Sequence, residues 1–185
     1  YKIDPTPISE EMIDLARIGE LGKQGVLAML ADSTNVENPG YSISERAVGE
    51  QLDAHFAGCK DRIIVTTFAS NVHRIQQVIN ASVKHKRRVG ITGRSMENVI
   101  KVAAKLGYLQ IPDGVLMDMT QIKSLPKDKV TIITTGSQGE PMSAMYRMAF
   151  SGHKQVEIGP GDKIIISASA IPGNEETVSH IINEL

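Results

Sequence analysis

Lys129-Val130-Thr131-Ile132-Ile133-Thr134-Thr135-Gly136-Ser137-Gln138-Gly139-Glu140-Pro141-Met142 is the stretch on which the fold turns. Its first half, residues 129–135, is a run of β-branched side chains, the composition of a strand buried on both faces. Its second half is a tight polar loop with two glycines three apart. Pro141 suits the first turn of a following helix, on which Met142, Met145 and Met148-Ala149 recur at the spacing of a core-facing stripe. A buried strand that passes through a small-residue loop into a helix is the repeating unit of a parallel α/β sheet.

The same unit recurs along the chain. Residues 62–69 read as a strand, followed by the helical stripe Val72, Ile75, Ile79 and Val83. Residues 88–92 read as a strand, and Ser95 as the cap of a helix with Met96, Val99, Ile100 and Ala103 inward and Gly107 as its stop. A less regular stretch through Pro112 and Pro126 precedes the strand 129–135. The turn Gly159-Pro160-Gly161-Asp162 leads into a strand at 163–169. Asn174 then caps a last helix carrying Val178, Ile181, Ile182 and Leu185. Upstream, residues 25–32 read as another buried strand. Residues 42–56 read as a helix with Ser42 and Glu45 as a capping box and Val48, Leu52 and Phe56 on one face. The expected fold is α/β: a Rossmann-like, mostly parallel sheet with helices on both faces. Residues 35–41 read as a loop or linker, which divides the chain into 1–38 and 39–185.

Composition narrows the function. At 185 residues, the chain fits one ordinary domain, or one domain with a piece of another. A globule of this size buries roughly 70% of the surface its unfolded chain exposes, enough to fold without disulfide or metal. The one cysteine, Cys59, excludes an internal disulfide and fits a reducing cytosol; it reads as a small, semi-buried apolar residue. A net charge of −1 excludes bulk attraction of nucleic acid, so any such contact has to come from local geometry. No apolar run reaches the ~18 residues of a membrane span, and no signal peptide is recognisable. The opening Tyr1-Lys2-Ile3-Asp4, alternating and without a methionine, reads as a fragment boundary inside a strand.

The chemistry-bearing residues gather at strand-to-helix junctions: Phe68-Ala69-Ser70-Asn71, Thr92-Gly93-Arg94-Ser95, Thr134-Thr135-Gly136-Ser137-Gln138-Gly139-Glu140 and Ser169-Ala170-Ile171-Pro172-Gly173-Asn174. In open parallel sheets, ligands bind beyond the carboxyl ends of the strands. Helix N-termini there offer free N–H groups and a partial positive charge, which suit phosphate. The Arg94 guanidinium can fork onto a phosphate. For Ser70, Asn71, Ser95 and Asn174 taken singly, plain helix capping competes with ligand contact; four junctions on one edge favour a shared anionic ligand. The loop 136–140 is not a Walker A loop, lacks G-x-G-x-x-G spacing and is no G-x-S-x-G elbow, so Ser137 is not expected to be a nucleophile.

The five histidines are His55, His73, His85, His153 and His180; none forms a His-x-His pair or lies in a cluster of zinc spacing, so no metal site is expected. His73, one helical step past Ser70-Asn71, faces either the junctions or solvent. His55, His85 and His180 read as surface residues, and His153 has no reading by itself. The basic run Lys84-His85-Lys86-Arg87-Arg88 reads as a solvated helix end, at the sheet edge away from the junctions. Asp32, in Ala31-Asp32-Ser33-Thr34-Asn35, either caps the following turn or stands at a strand's carboxyl end to contact catalytic groups. On these residues alone, a non-catalytic nucleotide- or phosphate-binding Rossmann-like module and a protein-docking scaffold stay open beside an RNA-binding surface.

Taken together, Leu30-Ala31-Asp32-Ser33-Thr34-Asn35, Phe68-Ala69-Ser70-Asn71, Gly93-Arg94-Ser95-Met96, Thr135-Gly136-Ser137-Gln138-Gly139-Glu140-Pro141-Met142 and Ile171-Pro172-Gly173-Asn174 resemble the ribonuclease J family across nearly the whole chain. The resemblance implies a piece of a metallo-β-lactamase-fold domain at 1–38 and the β-CASP domain at 39–185. It implies a zinc-dependent ribonuclease, a 5′→3′ exonuclease that also cuts internally, working on single-stranded RNA with a preferred 5′-monophosphate in RNA processing and decay. By resemblance the intact enzyme is cytoplasmic and homo-oligomeric. Zn2+ belongs to that intact enzyme; its ligands fall outside this chain, and the fragment alone is expected to be inactive. Asp32 matches the family's acidic residue that supports a downstream histidine in the leaving-group proton step. Ser70, Asn71, His73, Arg94, Ser95, Gly136, Ser137, Gln138, Gly139 and Glu140 are assigned RNA-backbone contacts.

Overall fold

A computed structural model describes residues 3–9, 11–33, 36–37 and 39–185. The chain forms two compact units, Tyr1–Val48 and Gly49–Leu185. The first contains the helix α1 (Leu15–Gln24), capped by Asp14, whose carboxylate accepts from the Arg17 N–H. Leu15, Ile18 and Leu21 form a stripe on α1 that is exposed.

Residues 25–32 correct the expectation of a buried strand: they have no regular structure and are exposed. Leu27 and Leu30 are almost fully open. A strand exists only by pairing its N–H and C=O groups with neighbours. Among the described residues no strand pairs with this stretch, so its apolar content alone does not make it a strand. Asn35 and Asn38, part of the expected loop, lie outside the described residues, as do Tyr1, Lys2, Glu10 and Thr34.

The helix α2 (Glu45–Phe56) starts later than the expected 42. Its start is set by Ser44, whose Oγ accepts from the Arg46 N–H, and by Asp4, whose carboxylate accepts from the Glu45 N–H. The capping box at Ser42 is therefore not formed.

The second unit is built on five parallel strands: β1 (Ile63–Thr66), β2 (Arg88–Thr92), β3 (Leu116–Met117), β4 (Val130–Thr134) and β5 (Lys163–Ile166), in the order β3-β2-β4-β1-β5. The helices are α3 (Val72–Lys84), α4 (Arg94–Lys105), α5 (Met119–Ile122), α6 (Ala144–Ala149) and α7 (Glu175–Glu184). Alternate strand residues face opposite sides. Ile64, Val130 and Ile132 pack with Met119, Ile122, Met145, Met148, Val156 and Ile181. The other face buries Ile63, Val65, Val89 and Ile133, with Ile75, Ile79, Met96 and Ile100 from α3 and α4. Helices thus cover both faces of an all-parallel sheet.

Local details differ from expectation for physical reasons. Gly93, at a φ of +107°, turns the chain from β2 straight into α4, so Gly93 and not Ser95 occupies the cap position. Ser143, not Pro141, starts α6; its Oγ accepts from the Tyr146 N–H. Met145 and Met148 are core, whereas Met142 lies before the helix and is 74% exposed. The basic run is not wholly solvated. Arg87 is buried and donates to the carbonyls of Cys59, Asp61 and Val130. His85 is half-buried and bonds Asp53, which also accepts from Lys84.

Candidate nucleic-acid interface

Register places the four main strand ends level. Thr66 pairs with Thr134 and with Ile166, and Thr134 pairs with Thr92. The four following loops therefore leave the sheet along one edge. Ser70, Arg94 and Ser137, distant in sequence, all belong to this lip.

Its outer layer is exposed: Ser70, His73, Arg94, Ser95 and Glu140. Asn71 is half-buried and caps α3, its Oδ1 accepting from the Arg74 N–H at 3.0 Å. The first turn of α4 has no side-chain cap, and Arg94 and Ser95 stand in it. The first turn of α7 also has none, because the Asn174 amide turns instead to Gln138. Two helix N-termini on the lip thus keep backbone N–H groups unanswered by a capping side chain, the arrangement that favours an anion.

The inner layer is a cross-tie. Ser137 and Gln138 are each only 3% exposed. The Gln138 amide donates to the Ser169 carbonyl at 2.9 Å and accepts from the Ile171 N–H at 2.7 Å. Its backbone carbonyl accepts from Thr177 Oγ at 3.0 Å, and its N–H donates to Glu140 Oε2 at 3.2 Å. One buried side chain thereby joins the loop after β4 to the loop after β5. Gly139 permits the approach: a Cβ there would stand 2.6 Å from the Thr177 carbonyl carbon, at a φ of +75°. Arg74 makes a second tie, donating to the carbonyl and hydroxyl of Ser167 at 2.8 and 2.6 Å.

Sequence reading missed Arg74, Ser167 and Thr177, whose types and spacing carry no signal by themselves. It grouped Gln138 with the surface contacts, whereas its side chain is occupied inside the loop. Asp32 lies in the first unit, exposed, in the stretch without regular structure. Among the described residues no group of three or more His, Cys, Asp or Glu is placed to hold a metal ion. The described residues do not fit a zinc centre. No described helix is long and apolar enough to cross a membrane.

Comparison with known proteins agrees with this architecture. Residues 60–185 match the family model "Ribonuclease J, beta-CASP domain". The chain is 47% identical over its whole length to a ribonuclease J of Thermus thermophilus, covering 32% of that protein. It is 45% identical to a ribonuclease J of Synechocystis, covering 29%, and 40% identical to ribonuclease J2 of Bacillus subtilis, covering 33%, again over its full length. It spans about a third of the length of these relatives. The level strand ends, the glycine-tied lip and these matches lead to one assignment: the chain belongs to the ribonuclease J family, and residues 60–185 are its β-CASP domain.

Proposed function

We propose that residues 39–185 form the RNA-clamping part of a ribonuclease and that residues 1–38 belong to its metallo-β-lactamase-fold domain. The observation that supports this best is the lip, where exposed Ser70, His73, Arg94 and Ser95 stand beside two helix N-termini without side-chain caps. Arg94 pairs with a phosphodiester, and Ser70, Asn71, His73 and Ser95 line the strand's path. The segment Gly136, Ser137, Gln138, Gly139 and Glu140 meets the RNA as a braced loop; Ser137 and Gln138 act from inside it. Contacts of this kind hold the sugar–phosphate backbone in register without reading bases.

In the full-length protein the reaction is zinc-dependent hydrolysis of single-stranded RNA, 5′→3′ from a monophosphorylated end and also internally, in cytoplasmic RNA processing and decay. Its zinc ligands belong to parts of the homo-oligomeric enzyme outside this chain. Asp32 supports the histidine that hands a proton to the leaving group.

Three measurements test this. Binding of single-stranded RNA to the 185-residue chain weakens with salt, and Arg94→Ala lowers the log–log slope by about 0.7, the value of one phosphate contact. An unchanged slope removes Arg94 from the interface, and a preference for a dinucleotide over RNA favours a cofactor-binding module instead. The isolated chain, with or without added zinc, cleaves no RNA; robust cleavage would overturn the division of labour. In the full-length protein Asp32→Ala folds normally and loses most turnover, whereas wild-type kinetics would remove Asp32 from the mechanism.

A further inference from the structure

His153 belongs to the connection between α6 and β5 and is half-buried. Its ring is held at both nitrogens. Nδ1 accepts from the N–H groups of Gln155 and Val156 at 3.2 and 3.0 Å. A ring nitrogen that accepts carries no proton, so the proton sits on Nε2, which donates to Thr92 Oγ at 3.0 Å. Thr92 is buried and is the last residue of β2. Alternate strand residues share a face, so Thr92 lies on the side that Gly90 turns to Met119 and Ile122 of α5. The imidazole therefore braces the carboxyl end of β2 from the α5 side.

The residue after Thr92 begins the lip. Gly93, at a φ of +107°, passes the chain directly into α4, whose first residue is Arg94. The corner is close-packed on its other side, where a Cβ at Gly93 would stand 2.7 Å from Thr135 Oγ. It is thus held between His153 and the loop after β4. The start of α4 carries no capping side chain among the described residues. The aim of its free N–H groups, and of Arg94, is set by this corner.

The charges around the ring are mostly positive. Arg147 from α6 and Lys123 from the end of α5 act on it. Lys154 is its neighbour in sequence, and Arg62, Lys127 and Glu157 line the cleft that it borders. Arg62 there is paired with Asp162. Burial first, then Arg147 and Lys123, keep His153 below the usual imidazole range. A second proton would also turn Nδ1 from acceptor into donor, facing two N–H donors. Both bonds would then be lost, and the segment 153–156 would have to move with the ring.

We propose that His153 is a positioning residue of the lip: as a neutral ring it holds Thr92, and through the Gly93 corner it aims Arg94 and the free N–H groups of α4, so that its protonation loosens the grip on a phosphodiester. This rests on the reading of the lip as an RNA clamp. Direct attraction of phosphate by an imidazolium has the opposite sign, and the test separates the two.

Binding of an oligouridylate to the 185-residue chain is measured by fluorescence anisotropy from about pH 8 to about pH 5.5, the interval in which imidazole changes charge. Circular dichroism checks folding at each pH. Affinity is expected to fall at least about fivefold across the interval, a coupling of ordinary size. His153→Gln keeps an N–H donor and cannot charge in this interval; it is expected to retain the high-pH affinity and flatten the profile. Thr92→Val removes the acceptor and is expected to flatten the profile while the His153 ring still titrates. A role in folding alone would lower affinity at every pH and leave the profile unchanged. Without RNA, the amide signals of Gly93, Arg94 and Ser95 are expected to shift in NMR spectra at the midpoint of the His153 ring. Signals that do not follow the ring overturn the proposal. So does a wild-type profile no steeper than that of His153→Gln, or binding that strengthens as His153 charges. Amides that follow the ring in a chain that binds no RNA at any pH support the tie and overturn the reading of the lip instead.

Discussion

At Gly139 two requirements coincide: a φ of +75° and a clash of any Cβ with the Thr177 backbone. Gly173 shares the first, with a φ of +97°, but has nothing within 4 Å of a Cβ. Alanine at Gly173 is therefore expected to cost about 1–2 kcal/mol, the left-handed penalty alone. Alanine at Gly139 adds a backbone clash and is expected to cost about 2–4 kcal/mol. Urea melts of the two variants give the comparison, and equal losses would mean that the approach to Thr177 relaxes freely. The sequence announced glycines in tight loops at both positions, since turn residues act locally. It did not announce Gln138 as a tie, because Ser169 and Ile171 come beside it only through the β4–β1–β5 register. Ser95 was misread as a cap for the reverse reason. Its type is right for one, but the helix already begins at Arg94, two residues before a Ser95 cap would start it.

Among the elements, the strands were the most legible. β2 matches its expected bounds, and β1, β4 and β5 are shortened at their ends, because a parallel strand buried on both faces is written as a continuous apolar run. β3, two residues long, is too short to leave a pattern. The stretch 25–32 shows the converse: an apolar run with no strand beside it to pair with, among the described residues, is not a strand. Inside β4, Thr131 is fully buried and its hydroxyl has no hydrogen-bond partner. Thr131→Val is accordingly expected to stabilise the domain by about 1 kcal/mol, read as a rise in the urea midpoint at constant m. A fall would show that the hydroxyl is satisfied in solution. At the amino edge, Arg87 holds three loop and strand carbonyls. Arg87→Met leaves them unmet and is expected to cost about 2–3 kcal/mol in the same assay. A loss no larger than that of a surface lysine would exclude a structural role.

The whole molecule carries a net charge of −1, so its pH response comes from particular groups and not from global repulsion. His153 lies below the usual imidazole range, through burial, then Arg147 and Lys123. The unfolded chain takes up this proton at a higher pH than the folded one. Stability is thus fully present above about pH 6.5 and declines as pH falls through the folded value. Asp53, bonded by Lys84 and then His85, Asp118, bonded by Thr120, and Asp128, bonded by Lys129, lie below the usual carboxylate range. Their contribution is present above about pH 4 and vanishes as pH drops through their folded values. Melting temperature against pH should therefore fall in two stages, and His153→Gln should abolish the upper one alone; two stages surviving in that variant would assign the upper to another group. The buried amide of Gln138 bears on recognition as well. The polypeptide there gives up its conformational freedom when it folds, not when it meets a guest. On the proposed reading, an incoming strand would have only its own disorder to lose on ground that folding has already ordered.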